Sequence, residues 1–181
     1  MNFTIFKRMY RASLLDVNLF EEVEADKSLL TEAMVVVVLS SLASGIGSWS
    51  MGLGELFTTT LGELLSWYIW AFIVYFIGTK LLSEPQTVAD HGELLRTIGY
   101  SSAPGVIRVL KPFLPFDSTI DLIATVWMLV AMIIAVRQAL DYESTSRSVL
   151  VCVLGLCVKI ISLTIILLVL GLIYSVVGKA V

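Results

Sequence analysis

The sequence predicts an all-α protein, a polytopic transmembrane helical bundle with five spans. Hydrophobic residues make up 57% of the 181 residues and charged residues only 15%, whereas a typical soluble domain carries about 25% charged residues. The charges also cluster between long uncharged runs, at 34–49, 64–79, 122–136 and 160–178. Because roughly 20 apolar residues suffice for a helix to cross a bilayer core, most of the chain is expected to face lipid or to pack between spans.

Residues 1–28 are expected to form a short cytoplasmic or interfacial segment ahead of a membrane domain at 29–181. Apolar residues recur on one helical face of this segment, beside basic ones: Phe3, Phe6, Tyr10 and Leu14, with Lys7, Arg8 and Arg11. The spacing suits an amphipathic helix in the membrane interface; a solvated helix leading into the first span is the alternative. The acidic stretch that follows is expected to be a solvated face: Glu21, Glu22, Glu24 and Asp26.

Four spans follow from hydropathy, at about 30–49, 61–82, 119–140 and 148–178. The segment at 97–116 is harder to assign. Only 97–107 is uncharged, about 16 Å of helix, which is too short to span. Extending it to residue 116 includes Arg108, Lys111 and three prolines. We therefore expect a third span that is kinked or partly re-entrant, with its cations at the far interface.

The positive charges indicate the orientation of the chain in the membrane but hardly distinguish four spans from five. With five spans, eight Lys and Arg residues lie on the cytoplasmic side and three on the other; with four spans the numbers are nine and two. Both arrangements place the N-terminus in the cytoplasm, according to the positive-inside rule. The charge bias by itself slightly favours four spans.

Small residues recur along two predicted spans. Ser40, Ser44 and Ser48 follow one another at intervals of four, and a second stripe consists of Ala124, Ala131, Ala135 and Ala139. Such stripes let helices approach closely. We interpret both as surfaces of a plain bundle core, in preference to a ligand groove.

Several polar residues are candidates for a functional or structural role near the cytoplasmic membrane face. They are Glu93, Arg96, Arg137, Asp141 and Arg147. Helical spacing allows Arg137 to pair with Asp141 and Glu93 with Arg96. These pairs could lock the third and fourth spans together, or coordinate a lipid headgroup.

A break in the third span is expected next to this layer, at Gly99, Tyr100 and Pro104. A broken helix can expose backbone groups to a transported substrate. A packing kink at Pro104 is the alternative and the one we favour.

Lys159 interrupts the last hydrophobic block. If the span begins near Ser148, Lys159 lies about 16 Å deep, close to the midplane. If the span begins at Ile160, Lys159 snorkels at the cytoplasmic edge and 148–158 lies flatter in the interface. No acidic partner is evident at midplane depth.

Composition and motifs exclude several classes of function. A net charge of −3 and a pI near 5.1 leave no strongly basic surface for nucleic acid. One His and two Cys are too few for an ordinary zinc site. No catalytic or phosphate-loop motif is present. We expect neither an enzyme nor a metal or cofactor site.

Three stretches taken together resemble a known family. The first consists of two pieces, 78–82 (GTKLL) and 93–105 (ELLRTIGYSSAPG). The second is 127–142, which ends in AVRQALDY, and the third is 19–26 (LFEEVEAD). They are similar to the YIP family of Ypt/Rab-interacting multi-span membrane proteins, particularly its prokaryotic branch. The resemblance implies five spans, a cytoplasmic N-terminus and a C-terminus on the outer side of the cell membrane. It also favours treating 97–116 as a real span.

The resemblance implies little chemistry. Eukaryotic relatives are associated with prenylated small GTPases through longer N-terminal regions, and with about 28 residues there this chain is not expected to bind one. The expected partners are membrane lipids, other membrane proteins or a second copy. The expected role is that of a non-enzymatic scaffold, adaptor or membrane-organising subunit. The alternative is a transporter or lipid-moving protein with a path near the broken third span and Lys159.

Overall fold

The computed structural model describes residues 3–47, 52–115 and 117–177, and within them the chain is helical, with no strand. The helices are α1 (Phe3–Ser13), α2 (Val17–Ala25), α3 (Leu30–Gly47), α4 (Gly52–Phe76), α5 (His91–Ser101), α6 (Asp117–Ala139) and α7 (Thr145–Val177). A 3₁₀ turn (Lys27–Leu29) precedes α3, a π-helical turn (Ile77–Leu81) ends α4, and a 3₁₀ helix (Ala103–Phe113) follows α5.

Four helices in the described chain are long and apolar enough to cross a membrane: Lys27–Ile46, Phe57–Leu81, Asp117–Ala139 and Thr145–Val169. They correspond to four of the spans expected from hydropathy. The last runs without interruption through Ser148 and Lys159, so it does not begin at Ile160. Val151 and Cys152 of α7 are buried against α4, within the bundle.

The segment expected as a third span consists of two short helices. Asp90 begins α5 through a capping box with Glu93, in which each side chain accepts from the other residue's backbone N–H at 2.8 Å. The α-helix ends near Pro104, which has no N–H to donate and disfavours helical geometry in the residue before it. The chain continues as the 3₁₀ helix, which contains Pro112. Neither piece is among the four membrane-length helices.

The first 25 residues pack onto the bundle. Leu19, Phe20 and Val23 of α2 have no exposed surface and lie in one apolar core with Ala131 and Ala135 of α6. The Trp127 indole donates to the backbone carbonyl at the end of α1, at 2.7 Å. The alanine stripe of α6 is accordingly a packing surface, as predicted, since all four of its residues are buried.

The amphipathic character predicted for α1 is present. Phe6, Tyr10 and Leu14 are exposed on one face, while the opposite face is buried; the side chain of Phe3 and all of Ser48 lie outside the described residues. The two arginines do not form the expected basic rim of this surface. Arg8 and Arg11 turn into the protein and pair with Asp16, Glu22 and Glu32 at distances of 2.6–3.0 Å.

The acidic stretch was therefore only partly a solvated face. Glu22 binds both arginines, Asp26 accepts from the Ser28 backbone N–H at 2.9 Å, and Glu24 is half-buried. The two arginine partners hold the pKa of Glu22 below its usual range. These contacts fasten α1 and α2 to the start of α3.

Candidate functional site

The segments 82–90 and 140–144 meet at one end of the bundle, which we call the junction end. Thr87 Oγ1 donates to the Leu140 carbonyl at 3.0 Å, and Arg147 pairs with Glu84 at 2.9 Å. The ends of α4 and α6 therefore lie together. The opposite end, where α6 begins, is called the cavity end.

The π-helical turn at the end of α4 receives the Tyr142 side chain. The Tyr142 hydroxyl lies 2.9 Å from the carbonyl oxygen of Gly78 and 3.0 Å from that of Leu82, and can donate its proton to either. Burial raises the pKa of Tyr142 to about 12, so the hydroxyl keeps this proton. Gly78 leaves space for Leu140. Two of the three stretches that carry the family resemblance thus meet here.

Arg96, which belongs to the 93–105 stretch, joins it to the remaining stretch at 19–26. Its guanidinium is buried and donates to the carbonyl oxygen of Val23 at 2.9 Å and to that of Glu24. Both carbonyls lie in the last turn of α2, where no intrahelical partner is available. The ion pair that helical spacing allows between Glu93 and Arg96 does not form, because Glu93 is engaged in the capping box and Arg96 in this helix end.

The expected pair between Arg137 and Asp141 is also wrong, because α6 ends at Ala139 before the helical spacing is completed. Asp141 adopts the left-handed region, with φ of 52°. Arg137 instead donates to the carbonyls of Tyr142 and Glu143, at 3.2 and 3.1 Å. Arg147 likewise reaches the Leu82 carbonyl at 3.3 Å. Four of the five candidate polar residues of this layer thus bind backbone groups at the junction end: Glu93, Arg96, Arg137 and Arg147.

Beside them lies an open pocket of about 320 Å³ whose acidic residues are Glu21, Glu24, Asp141 and Glu143. Burial, assisted by the carboxylates of Asp141 and Glu93, raises the pKa of Glu24 to about 7. No group of acidic, His or Cys side chains in the described chain could hold a metal ion.

The residues expected to break the third span are used for close packing. A Cβ at Gly99 would lie 2.9 Å from that of Ala33 on α3, and Gly105 has Ser40 and Met128 against it. Pro104 and Tyr100 are buried, the latter beside Arg8 and Glu32. This arrangement supports the packing interpretation of the break.

A second cavity, of about 330 Å³, lies between α3, α4, the α5–3₁₀ segment, α6 and α7. We call it the serine cavity. Its polar lining residues are Ser40, Ser41, Ser44, Glu63, Ser66, Ser101, Ser102, Arg108, Thr125 and Lys159. Trp67, Trp70 and Met132 also line it, and the Trp70 indole N–H donates to the Met132 sulfur at 3.0 Å.

Lys159 lies in this cavity, about 21 Å along α7 from Thr145. Its Nζ donates to the Ser66 hydroxyl at 2.9 Å and lies 5.7 Å from the centre of the Trp70 ring. Both contacts are neutral. Glu63, three residues before Ser66 on α4, lines the same cavity.

The second cation of the cavity is Arg108. It pairs with Asp121 at 3.4 Å and donates to the Thr125 hydroxyl at 3.0 Å, and Lys111 binds the same carboxylate at 2.6 Å. Arg108 and Lys111 thus meet the first turns of α6.

Sequence reasoning missed the serine cavity. The periodicity of the α3 serines predicts packing, and Ser40 does pack against Gly105 while also lining the cavity. No periodic pattern in the sequence marks Glu63. The available signal was that serines on the first span, a serine and a glutamate on the second, and Lys159 all fall within apolar runs.

Comparison with known families gives one result. The family model of the Yip1 domain matches residues 18–178, which covers all three motif stretches and every span. No curated protein and no solved structure matches the chain. Together with its four membrane-length helices, the match identifies a multi-pass membrane protein that belongs to the Yip1-domain family.

Proposed function

We propose that this protein is a non-enzymatic, membrane-organising scaffold or adaptor subunit, which acts by binding lipids, other membrane proteins or a second copy of itself. The observation that carries the proposal is the closed junction end. There Val74, Leu94, Val136 and Leu140 have no exposed surface, so apolar side chains fill the core at this end of the bundle. A packed core favours binding over conduction.

We further infer five membrane crossings. The segment from Asp90 to Asp117 starts at the junction end and leads to α6 at the cavity end, so it runs the length of the bundle. Its side contacts support this direction: Gly99 packs on Ala33 and Gly105 on Ser40, which makes it parallel to α3. Eleven α-helical and eleven 3₁₀ residues extend about 38 Å, enough to cross a core of about 30 Å.

With five crossings the termini lie on opposite sides. The positive-inside rule assigns the junction end to the cytoplasm, since Lys80, Arg96, Arg137 and Arg147 lie there. The N-terminus is then cytoplasmic and the C-terminus is on the outer side of the cell membrane. A compartment-sensitive reporter fused after Val181 should be active only on the outer side; activity only in the cytoplasm would support four crossings.

Transport is the second candidate, and Lys159 in a polar cavity is the observation that favours it. We expect liposomes that contain the purified protein to release trapped ions, and to move fluorescent phospholipid between leaflets, no faster than protein-free liposomes. Flux in the parent that is lost in a stable Lys159→Leu variant would overturn the scaffold proposal in favour of transport. The matched control is Lys80→Leu, because Lys80 is exposed at the junction end.

A further inference from the structure

We propose that the serine cavity is a binding site for the phosphate group of a membrane phospholipid, whose headgroup enters from the bilayer between α4 and α7. This proposal goes beyond the scaffold role because it names a class of ligand. It rests on the proposed function in one respect, which is that α4 and α7 cross a bilayer.

The charge of the cavity is the first argument. Arg108 and Lys111 share the single carboxylate of Asp121, so one of their two positive charges has no counter-charge there. Lys159 and Glu63 are the other charged residues of the lining. In the described chain the exposed Lys159 contacts neutral groups, the Ser66 hydroxyl and the Trp70 ring. An ammonium ion within a membrane bundle is costly unless an anion compensates it, and the lining offers the place for one.

The hydrogen-bonding groups are the second argument. Phosphate oxygens accept several bonds at once, from ammonium and hydroxyl donors. Ser66 accepts the bond from Lys159, so its own proton is free to donate to the same ligand oxygen. On the facing wall, Ser41 of α3 donates to the Val37 carbonyl at 2.9 Å, so Ser40 and Ser44 are the α3 serines placed to donate to a ligand. The donors thus approach the ligand from more than one helix.

Size and access are the third argument. A cavity of about 330 Å³ is at the lower end of the range for small-molecule sites, which suits a headgroup better than a whole lipid. Exposed apolar side chains neighbour the cavity residues on both helices, Leu65 and Ile69 beside Ser66 on α4, and Leu156 and Ile160 beside Lys159 on α7. They offer a surface for acyl chains outside the cavity, which favours a phospholipid over a soluble phosphate compound.

The test measures the melting temperature of the full-length protein in detergent micelles against ligand concentration. The three probes are dioctanoyl phosphatidylglycerol, dioctanoylglycerol without phosphate, and glycerol 3-phosphate without tails. A ligand that binds the folded state raises the melting temperature. We expect a saturable rise with the phospholipid and none with the other two. An equal rise with glycerol 3-phosphate would overturn the phospholipid assignment and identify a soluble phosphate as ligand; an equal rise with dioctanoylglycerol would overturn the site altogether.

Variants localise the effect. Lys159→Gln should weaken phospholipid binding about tenfold or more, because it removes a charge-assisted hydrogen bond, while Lys159→Arg keeps most of the affinity. Lys80→Gln, the matched exposed lysine, should bind as the parent does. Parent-like affinity in Lys159→Gln would contradict the proposal. If Lys159→Gln does not fold, Ser66→Ala takes its place and should also weaken binding. Reporter and flux experiments are independent of these probes, so failure of the site and failure of the scaffold proposal are distinguishable.

Discussion

The two ends of this bundle use polar side chains in opposite ways. At the junction end, Arg96, Arg137 and Tyr142 all reach backbone carbonyls, and the core beside them is fully buried. At the cavity end, Lys159 and a set of serines surround about 330 Å³ of space. The polar side chains named at the junction end therefore hold the backbone in place, whereas those at the cavity end line open space.

The difference follows from where free backbone groups occur. Helix ends and loops have carbonyls without intrahelical partners, and the junction end gathers the ends of α2, α4 and α6. Arginine and tyrosine side chains satisfy these carbonyls. Halfway along a helix the carbonyls are already bonded, so in the described chain Lys159 contacts two side chains, Ser66 and Trp70. We propose a ligand as the counter-charge.

We expect the largest loss of stability from a substitution that disrupts the packing of α6. Ala135→Leu inserts three carbon atoms where the side chain has no exposed surface. Overpacking of this kind costs about 1–3 kcal/mol. We expect a lower melting temperature in detergent, whereas Val130→Leu on the exposed face of the same helix should change it little. Val136 does not serve as a control, because it is as buried as Ala135. Equal melting temperatures for the Ala135 and Val130 variants would contradict a close-packed stripe.

A second, intermediate effect tests the electrostatics of the junction end. The pKa of Glu24 is raised from 4.5 to about 7, so between these values the folded protein binds a proton that the unfolded chain has released. Stability contributed by protonated Glu24 is therefore lost as the pH rises from about 4.5 through 7. Glu24→Gln should reduce this slope and should be the more stable protein at pH 8. The measurement is the melting temperature from pH 5 to 8.

Glu22→Gln is the control for this prediction. Its pKa is lowered by Arg11 and Arg8, so its stabilising contribution is lost only as the pH falls below about 4.5. The variant should be destabilised throughout pH 5–8 with the slope of the parent. A slope unchanged in Glu24→Gln would show that burial does not hold this carboxyl in its neutral form.

We expect the smallest effect on stability from a substitution in the serine cavity, which tests the contrast with the tightly packed α6. Ser44→Leu places apolar volume in the serine cavity at a half-buried position. Because the space is open, we expect a change in unfolding free energy within about 1 kcal/mol. The rise in melting temperature with dioctanoyl phosphatidylglycerol should nevertheless be lost. Destabilisation as large as that of Ala135→Leu would mean that Ser44 packs as tightly as the alanine stripe.

Much of the fold could be read from the sequence, because long apolar runs have few alternatives to membrane-length helices. The alanine stripe of α6 and the exposed face of α1 also followed from helical periodicity. The pairing of Arg137 with Asp141 did not, since it assumed a helix that continues past Ala139. Likewise, Arg8 and Arg11 could not be assigned to Glu22 and Glu32 without knowing that α1 folds back onto α3.

What the sequence by itself determined about this protein is its class: a multi-pass helical membrane protein with a broken segment before α6 and one lysine far inside an apolar run. The tertiary structure decided what those features do. Whether a serine stripe packs or lines a cavity depends on how far the facing helix lies from it, and whether Lys159 has a partner depends on which residues of α4 face it. Both are distances between segments far apart in the chain, and local periodicity carries no information about them.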